Sequence, residues 1–379
     1  MNVIGLRKKV LAIVVAVVVV LGIGVALWWF LQAERSESEA TREMVSAGWF
    51  NTVTVDADGG LWAWGSNSRG ELGDGTTLDR YSPTFIMDDV LMASTRGAHT
   101  MAITNDGSLW LWGANGNGQI GDGTTTDRHN PVHIMDDVIS VSAGFGHTIA
   151  LTADGELWAW GFNGYGQLGD GTTTERHSPI YIMSDVVSIS AGVWHSTAIT
   201  ADGGLWTWGA NVRGRLGDGT TIDRHSPVRV MDNAALVMAG CAHMAAITTD
   251  GGLWTWGFNG YGQLGDGTTA DHYSPVRVMD SVAYVSPGRI HTLAITIDGS
   301  LWAWGANSSG MLGDGTTTDR HNPVFIMDDV VSVSAGGAHT AAITADGAVW
   351  AWGVNLNGRL GDGTTEDRLG PTLVKSNKE

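Results

Sequence analysis

The chain is 379 residues long, carries a net charge of −18 and contains one cysteine, Cys241. The length fits one large or two ordinary domains. The acidity argues against nucleic acid as a partner, because phosphate backbones bind by exchanging counterions for Lys and Arg; the single thiol excludes an internal disulfide and fits a small core hydrophobe.

Residues 1–9 are a basic N-terminus containing Arg7, Lys8 and Lys9. Residues 10–31 follow, 22 residues without a charge, enough to cross a bilayer core of about 30 Å at about 1.5 Å per residue. A cleavable signal peptide has a shorter apolar core, about 7–15 residues. The one cleavage-like spot here, Leu31-Gln32-Ala33, places a bulky Leu where a small residue is needed. Trp28 and Trp29 sit where an interfacial aromatic belt lies. These features predict an uncleaved transmembrane anchor. The positive-inside rule puts the N-terminus in the cytoplasm and the rest of the chain outside. Residues 32–43 are polar and predict a short stalk.

Residues 44–379 are one repeat. Trp-x-Trp-Gly begins at Trp62, Trp110, Trp158, Trp206, Trp254, Trp302 and Trp350, always 48 residues apart. A fixed period of this size indicates a solenoid, an array or a propeller. Glycine is too frequent for helices. In the third unit, residues 145–152 are rich in β-branched side chains, Ala153-Asp-Gly155 makes a turn, and Leu157-Trp-Ala-Trp160 returns as a strand. Two more strands are predicted around residues 180–183 and 186–190. Four strands per unit suit a propeller blade, and seven blades close a ring that needs no polar cap. Both tryptophans of a unit face one way, because side chains alternate along a strand. The residue between them is smaller in most units, such as Ala63 or Thr207, so large-against-small stacking of blades is predicted. Each tryptophan buries about 150–250 Å², about 4–6 kcal/mol at about 25 cal/mol per Å² as an upper bound.

The run WGFNGYGQLGDGTTTERHSP, residues 160–179, closely resembles the repeat of the regulator of chromosome condensation family in its bacterial form, and all seven units match. The resemblance implies a seven-bladed β-propeller whose first and last segments share a blade. It does not carry one function. The family's founder is a nucleotide exchange factor for a nuclear GTPase and docks on chromatin, a role at odds with an export anchor and an acidic domain. An extracytoplasmic bacterial relative inhibits β-lactamases by covering the active site with its propeller face.

Within the repeat, Gly116, Gly118 and Gly121 spell G-x-G-x-x-G. A dinucleotide site needs that loop to open a helix, and no helical period follows. Asp122 of the recurring Gly-Asp-Gly-Thr-Thr is expected to accept backbone N–H groups in a tight turn. The second acid, such as Asp127, precedes Arg128 and suggests acid–base pairing between blades. Calcium is the sharper alternative, but it takes six to eight oxygen ligands and each unit offers two carboxylates plus hydroxyls. His99, His147, His195, His243, His291 and His339 share a register with Asn51. In separate blades they cannot share a zinc ion, and each is expected to bond a neighbouring backbone. No catalytic constellation stands out, so no enzyme activity, cofactor or metal is predicted.

Function is expected where the copies differ. The hairpin argument places the G-x-x-H and G-x-N-x-x-G loops on one rim of the ring. Their variable positions include Trp49, Phe50, Phe145, Trp194 and Arg289 in the first loop and Arg69, Tyr165, Arg213 and Tyr261 in the second, and Arg96 replaces a glycine of the register. Aromatic residues and Arg dominate binding hot spots. The prediction is a membrane-anchored, extracytoplasmic propeller that binds a protein through this face. The alternatives are a cell-wall or glycan binder and an inhibitor of β-lactamase-like wall enzymes.

Overall fold

Each repeat contains reversals that its turn residues impose. In the third unit Gly155 adopts φ +83°, which glycine tolerates without steric cost, and its N–H donates to the Thr152 carbonyl at 3.0 Å. The two strands on either side then pair antiparallel, with His147 opposite Gly161 and Leu151 opposite Leu157.

The computed structural model describes residues 44–376. They form seven four-stranded antiparallel sheets. In the first, β1 (Met44–Ala47), β2 (Asn51–Val55), β3 (Leu61–Gly65) and β4 (Arg80–Met87) pair in sequence order. Blades 2 to 7 repeat this order over residues 90–135, 138–183, 186–231, 234–279, 282–327 and 330–375. The β1-type strands of neighbouring blades lie against one another around the axis, and the β4-type strands face solvent. Here the structure corrects the expectation of a shared blade. The unit begins with its innermost strand and ends with its outermost, so every blade is complete within consecutive sequence. The ring closes by side-to-side packing of blades 1 and 7: Ala47 N–H donates to Ser334 Oγ at 2.9 Å, and Trp64 Nε1 donates to the Arg359 carbonyl at 3.0 Å. Among the described residues no helix is long and apolar enough to cross a membrane; the span expected at 10–31 and the stalk at 32–43 lie outside the described residues.

The blades stack as the alternation predicted, but the two tryptophans are unequal. Trp160 is fully buried against Met101, Leu109 and Leu111 of blade 2, whereas Trp158 is half-buried at the edge of the same cluster. Leu157 and Ala159, on the opposite face, pack toward Trp208 of blade 4. The second tryptophan also carries a polar link. Its indole N–H donates to a carbonyl of the preceding blade in every unit, as from Trp160 to Gln119 at 2.9 Å and from Trp208 to Gln167 at 2.9 Å. The glycine of the Gly-Asp-Gly loop makes room for the ring. A Cβ on Gly121 would lie 2.6 Å from Trp160 Nε1.

The register histidines form a second belt. They bond a side chain of the next blade, not its backbone as expected. His99 Nε2 meets Thr148 Oγ1 at 3.3 Å, and His147 Nε2 meets Ser196 Oγ at 2.9 Å. Thr148 Oγ1 donates its one hydrogen to the Gln119 carbonyl at 2.8 Å, so the histidine is the donor and carries its proton on Nε2. Nδ1 of all six lacks a hydrogen-bond partner among the described residues. Burial pushes His99 and His291 down to about 4 and His147 and His243 down to about 3.

A third link joins the innermost strands. A serine hydroxyl accepts the backbone N–H of the next blade, as Ser190 Oγ does from Ala239 at 3.0 Å and Ser286 Oγ from Ala335 at 3.0 Å. Between blades 5 and 6 both partners change together. Met238 replaces the serine, and Pro287 replaces the residue whose N–H would need it. Losing donor and acceptor at once avoids a buried unsatisfied group, which costs about 1–3 kcal/mol.

Two outcomes are expected. Met238→Ser and Pro287→Ala each destabilise the propeller alone, and the double variant recovers about 1 kcal/mol relative to their sum, measured as a double-mutant cycle in urea. Each neutral histidine also makes stability pH-dependent. The unfolded chain protonates it below its ordinary value near 6.5 while the folded chain does not. Stability therefore holds above that value and falls as the pH drops toward 4, by up to about 2 kcal/mol per histidine at about pH 5. Thermal melts of His147→Asn across this range should be flatter than those of the parent.

Candidate binding face at the channel mouth

Because His147 opposes Gly161 and His195 opposes Gly209, the inner loops before each histidine and the outer loops after each Trp-Gly share one rim. There the variable aromatics meet around the axis. Trp49 of blade 1 contacts Phe145 of blade 3 with ring centroids 4.7 Å apart, and Phe145 contacts Trp194 of blade 4 at 5.1 Å. Tyr165 adds to Trp194 at 5.9 Å, Phe162 meets Trp194 edge-on at 5.2 Å, and Phe50 meets Trp49 edge-on at 6.3 Å. Arg289 of blade 6 lies over the Trp49 ring, 5.7 Å from its centroid. Trp49 reaches past its neighbours because their inner loops are small. Gly97-Ala98 fills that place in blade 2 and Gly337-Ala338 in blade 7. A Cβ on Gly97 would lie 2.6 Å from the Phe145 carbonyl. Phe50 and Tyr165 keep 44% and 41% of their surface exposed.

Arg96 crosses the channel from blade 2 to blade 5. From the end of blade 2's inner strand it donates to the Ala239 and Gly240 carbonyls of blade 5 at 3.0 and 3.2 Å. Burial pulls it below the usual arginine value. It leaves a small recess that Trp49, Cys241 and Arg289 also line.

Three of the predicted residues lie elsewhere on the rim. Arg69 pairs with Asp127 of the next blade at 3.1 Å, and Arg213 pairs with Asp271 at 3.0 Å. Tyr261 stands at 6.0 Å from Phe258, whose ring also carries Arg213 at 5.2 Å. The repeated acid–base pairs correct the expectation of inter-blade pairing. Asp122 takes Arg128 of its own loop, Nε to Oδ2 at 2.7 Å, and its other oxygen accepts the N–H and hydroxyl of Thr124. Burial opposes ionisation of Asp122, but these bonds hold it below the ordinary carboxylate value. The second acid instead accepts a backbone N–H, as Asp127 does from Asn115 at 2.8 Å. Among the described residues, this second acid links blades only through Arg69, Arg213 and Asn357. Among the described residues, no group of three or more His, Cys, Asp or Glu side chains is placed to hold a metal ion.

Sequence reasoning missed Arg215 and Arg359. They occupy an outer-loop position where other units carry Gln, Glu or Met, and that switch from acceptor to donor was the available signal. Gln167 Oε1 accepts the Tyr165 N–H at 3.0 Å. Arg215 cannot accept, so its Nε donates to the Val212 carbonyl at 3.1 Å, and Arg359 Nε does the same to Leu356 at 2.9 Å. The peptide unit has turned over to present oxygen in place of N–H. Arg213 and Asn357, which follow it, therefore sit at φ +66°, a conformation that costs a non-glycine residue about 1–2 kcal/mol. Each arginine reaches on to the next blade's inner loop, Arg215 to the Cys241 carbonyl at 3.2 Å and Arg359 to the Trp49 carbonyl at 3.0 Å.

The pattern of the RCC1-like domain matches residues 87–379, and that of the regulator of chromosome condensation (RCC1) repeat matches residues 58–103. Human WBSCR16 is similar in structure, with TM-score 0.75 and 23% identity over 83% of this chain and 94% of that one. Yeast RCC1 (Prp20), solved bound to Kap60, gives 0.76 and 20% over 89% and 85%. Prp20p from Saccharomyces cerevisiae, described with its binding properties to Gsp1p and histones, gives 0.75 and 21% over 89% and 88%. At these identities the likeness concerns the fold. No curated protein matches the sequence.

Arg215→Gln should turn the peptide back. A crystal structure of the variant is expected to show Arg213 at negative φ with its N–H on the new glutamine, and a melting temperature within a few degrees of the parent. Retention of positive φ would refute the coupling.

Proposed function

Since the chain belongs to the RCC1-like domain family, we propose that it is a non-catalytic, protein-binding propeller that takes its partner on the channel-mouth face. In this reading residues 10–31 anchor it in a membrane, and the propeller stands on the extracytoplasmic side. The observation that carries the reading is the continuous aromatic cluster from Trp49 through Phe145 and Trp194 to Tyr165. Partly exposed aromatics on loops, held by a rigid ring, are what a binding hot spot requires. Support for a protein partner comes from yeast RCC1, which is described with Kap60, Gsp1p and histones. The anchor rests on the 22 uncharged residues and the Arg7-Lys8-Lys9 that precede them.

The test is cross-linking capture from the native envelope fraction. Trp194→Ala combined with Tyr165→Ala should reduce capture at least about tenfold, the effect of losing one hot spot of about 1.4 kcal/mol or more. Tyr181→Ala, exposed on an outermost strand, serves as the control and should leave capture unchanged. Equal capture by the double variant, with the fold intact by circular dichroism, refutes the assignment of this face.

A further inference from the structure

Four arginines stand at the channel mouth, and they differ from the rest. Every other arginine among the described residues is ion-paired with an aspartate. Arg96, Arg215 and Arg359 donate only to backbone carbonyls, and Arg289 lies on the face of Trp49. They converge. Arg96 bonds the Gly240 carbonyl and Arg215 the adjacent Cys241 carbonyl, while Arg359 bonds the carbonyl of Trp49, the residue on which Arg289 stacks. Arg215 and Arg359 are 8% and 3% exposed, yet the second terminal nitrogen of each donates to no acceptor among the described residues. A buried guanidinium without a counter-ion is costly, and here that cost is concentrated at one place in a chain of net charge −18.

We propose that the mouth receives an acidic segment of a partner protein, with carboxylates on the arginines and an apolar or aromatic side chain against Trp49 and Trp194. Guanidinium recognises carboxylate in paired hydrogen bonds, and the aromatic cluster supplies apolar contact beside it. The rest of the surface disfavours this ligand. The opposite rim repeats Asp turns such as Asp136-Asp137 and Asp154, so an acidic segment is steered away from it and toward the mouth.

This inference rests on the channel-mouth reading above, and the experiment separates the two. The full-length chain in detergent is panned against a random linear peptide library, and enriched peptides are measured by tryptophan fluorescence. Peptides rich in Asp or Glu with at least one aromatic residue are expected. Their binding should weaken about tenfold or more on Arg289→Gln, the loss of a charge-assisted contact, and also on raising salt from about 0.05 to about 0.5 M. Exchanging Asp and Glu in the peptide for Asn and Gln should have the same effect. Neutral or basic peptides that still require Trp194 and Tyr165 would overturn the acidic partner and leave the face standing. Peptides indifferent to Trp194 and Tyr165 would overturn both.

Discussion

The contact on which this ring depends is an indole N–H reaching into the blade before it. Trp160 fills the gap between blades 2 and 3, and its one polar atom finds the Gln119 carbonyl at 2.9 Å. That carbonyl also accepts from Thr148, the hydroxyl that receives His99. Packing, the tryptophan link and the histidine belt therefore meet at one backbone oxygen. The same arrangement returns at blades 1 and 7, where the Arg359 carbonyl accepts from both Trp64 and Thr52. A propeller with no shared blade has only such lateral bonds to close it, and an unpaired indole or hydroxyl there would be a buried unsatisfied group.

Regularity of this kind makes the exceptions informative. Met238 and Pro287 vary as a matched pair and leave no orphan. Met244 takes the place of the hydroxyl that His195 would otherwise meet, and its sulfur stands 2.9 Å from Nε2. Arg215 and Arg359 change an acceptor to a donor, and the backbone turns to suit. Arg96 has no counterpart in other units, and it bonds across the channel to blade 5. Inner loops and inner strands tolerate such changes because the tryptophan and histidine belts already hold the frame. The mouth is thus the place where this repeat varies without losing the ring.

Charge divides the molecule along its axis. Asp turns occupy one rim, and the loops between the third and fourth strands pair their own acids and arginines, as Asp122 does with Arg128. The guanidinium groups left without carboxylates gather at the other rim beside the aromatic cluster. A surface that combines flat rings and unpaired guanidinium groups offers both elements of a hot spot within one patch.

The sequence alone determined the seven repeats, the hairpin within each and the identity of the rim, because a 48-residue period and an Asp-Gly turn leave few ways to fold; that every blade is complete within its own repeat came only from the structure. It also singled out Trp49, Phe145, Trp194 and Tyr165, since aromatic side chains at variable loop positions stand out against a constant unit. Only the tertiary structure decided how they are grouped. Trp49 meets Phe145 across blade 2 because Gly97 and Ala98 are small, a relation between three loops that no spacing within one unit reports. Arg69 and Arg213 resembled Arg289 in sequence but found Asp127 and Asp271 on the adjoining blades. Arg215 and Arg359 drew no notice in the sequence, yet their guanidinium groups extend to the next inner loop. Periodicity specifies what every blade shares, whereas partners between blades depend on distances that exist only once the ring has closed.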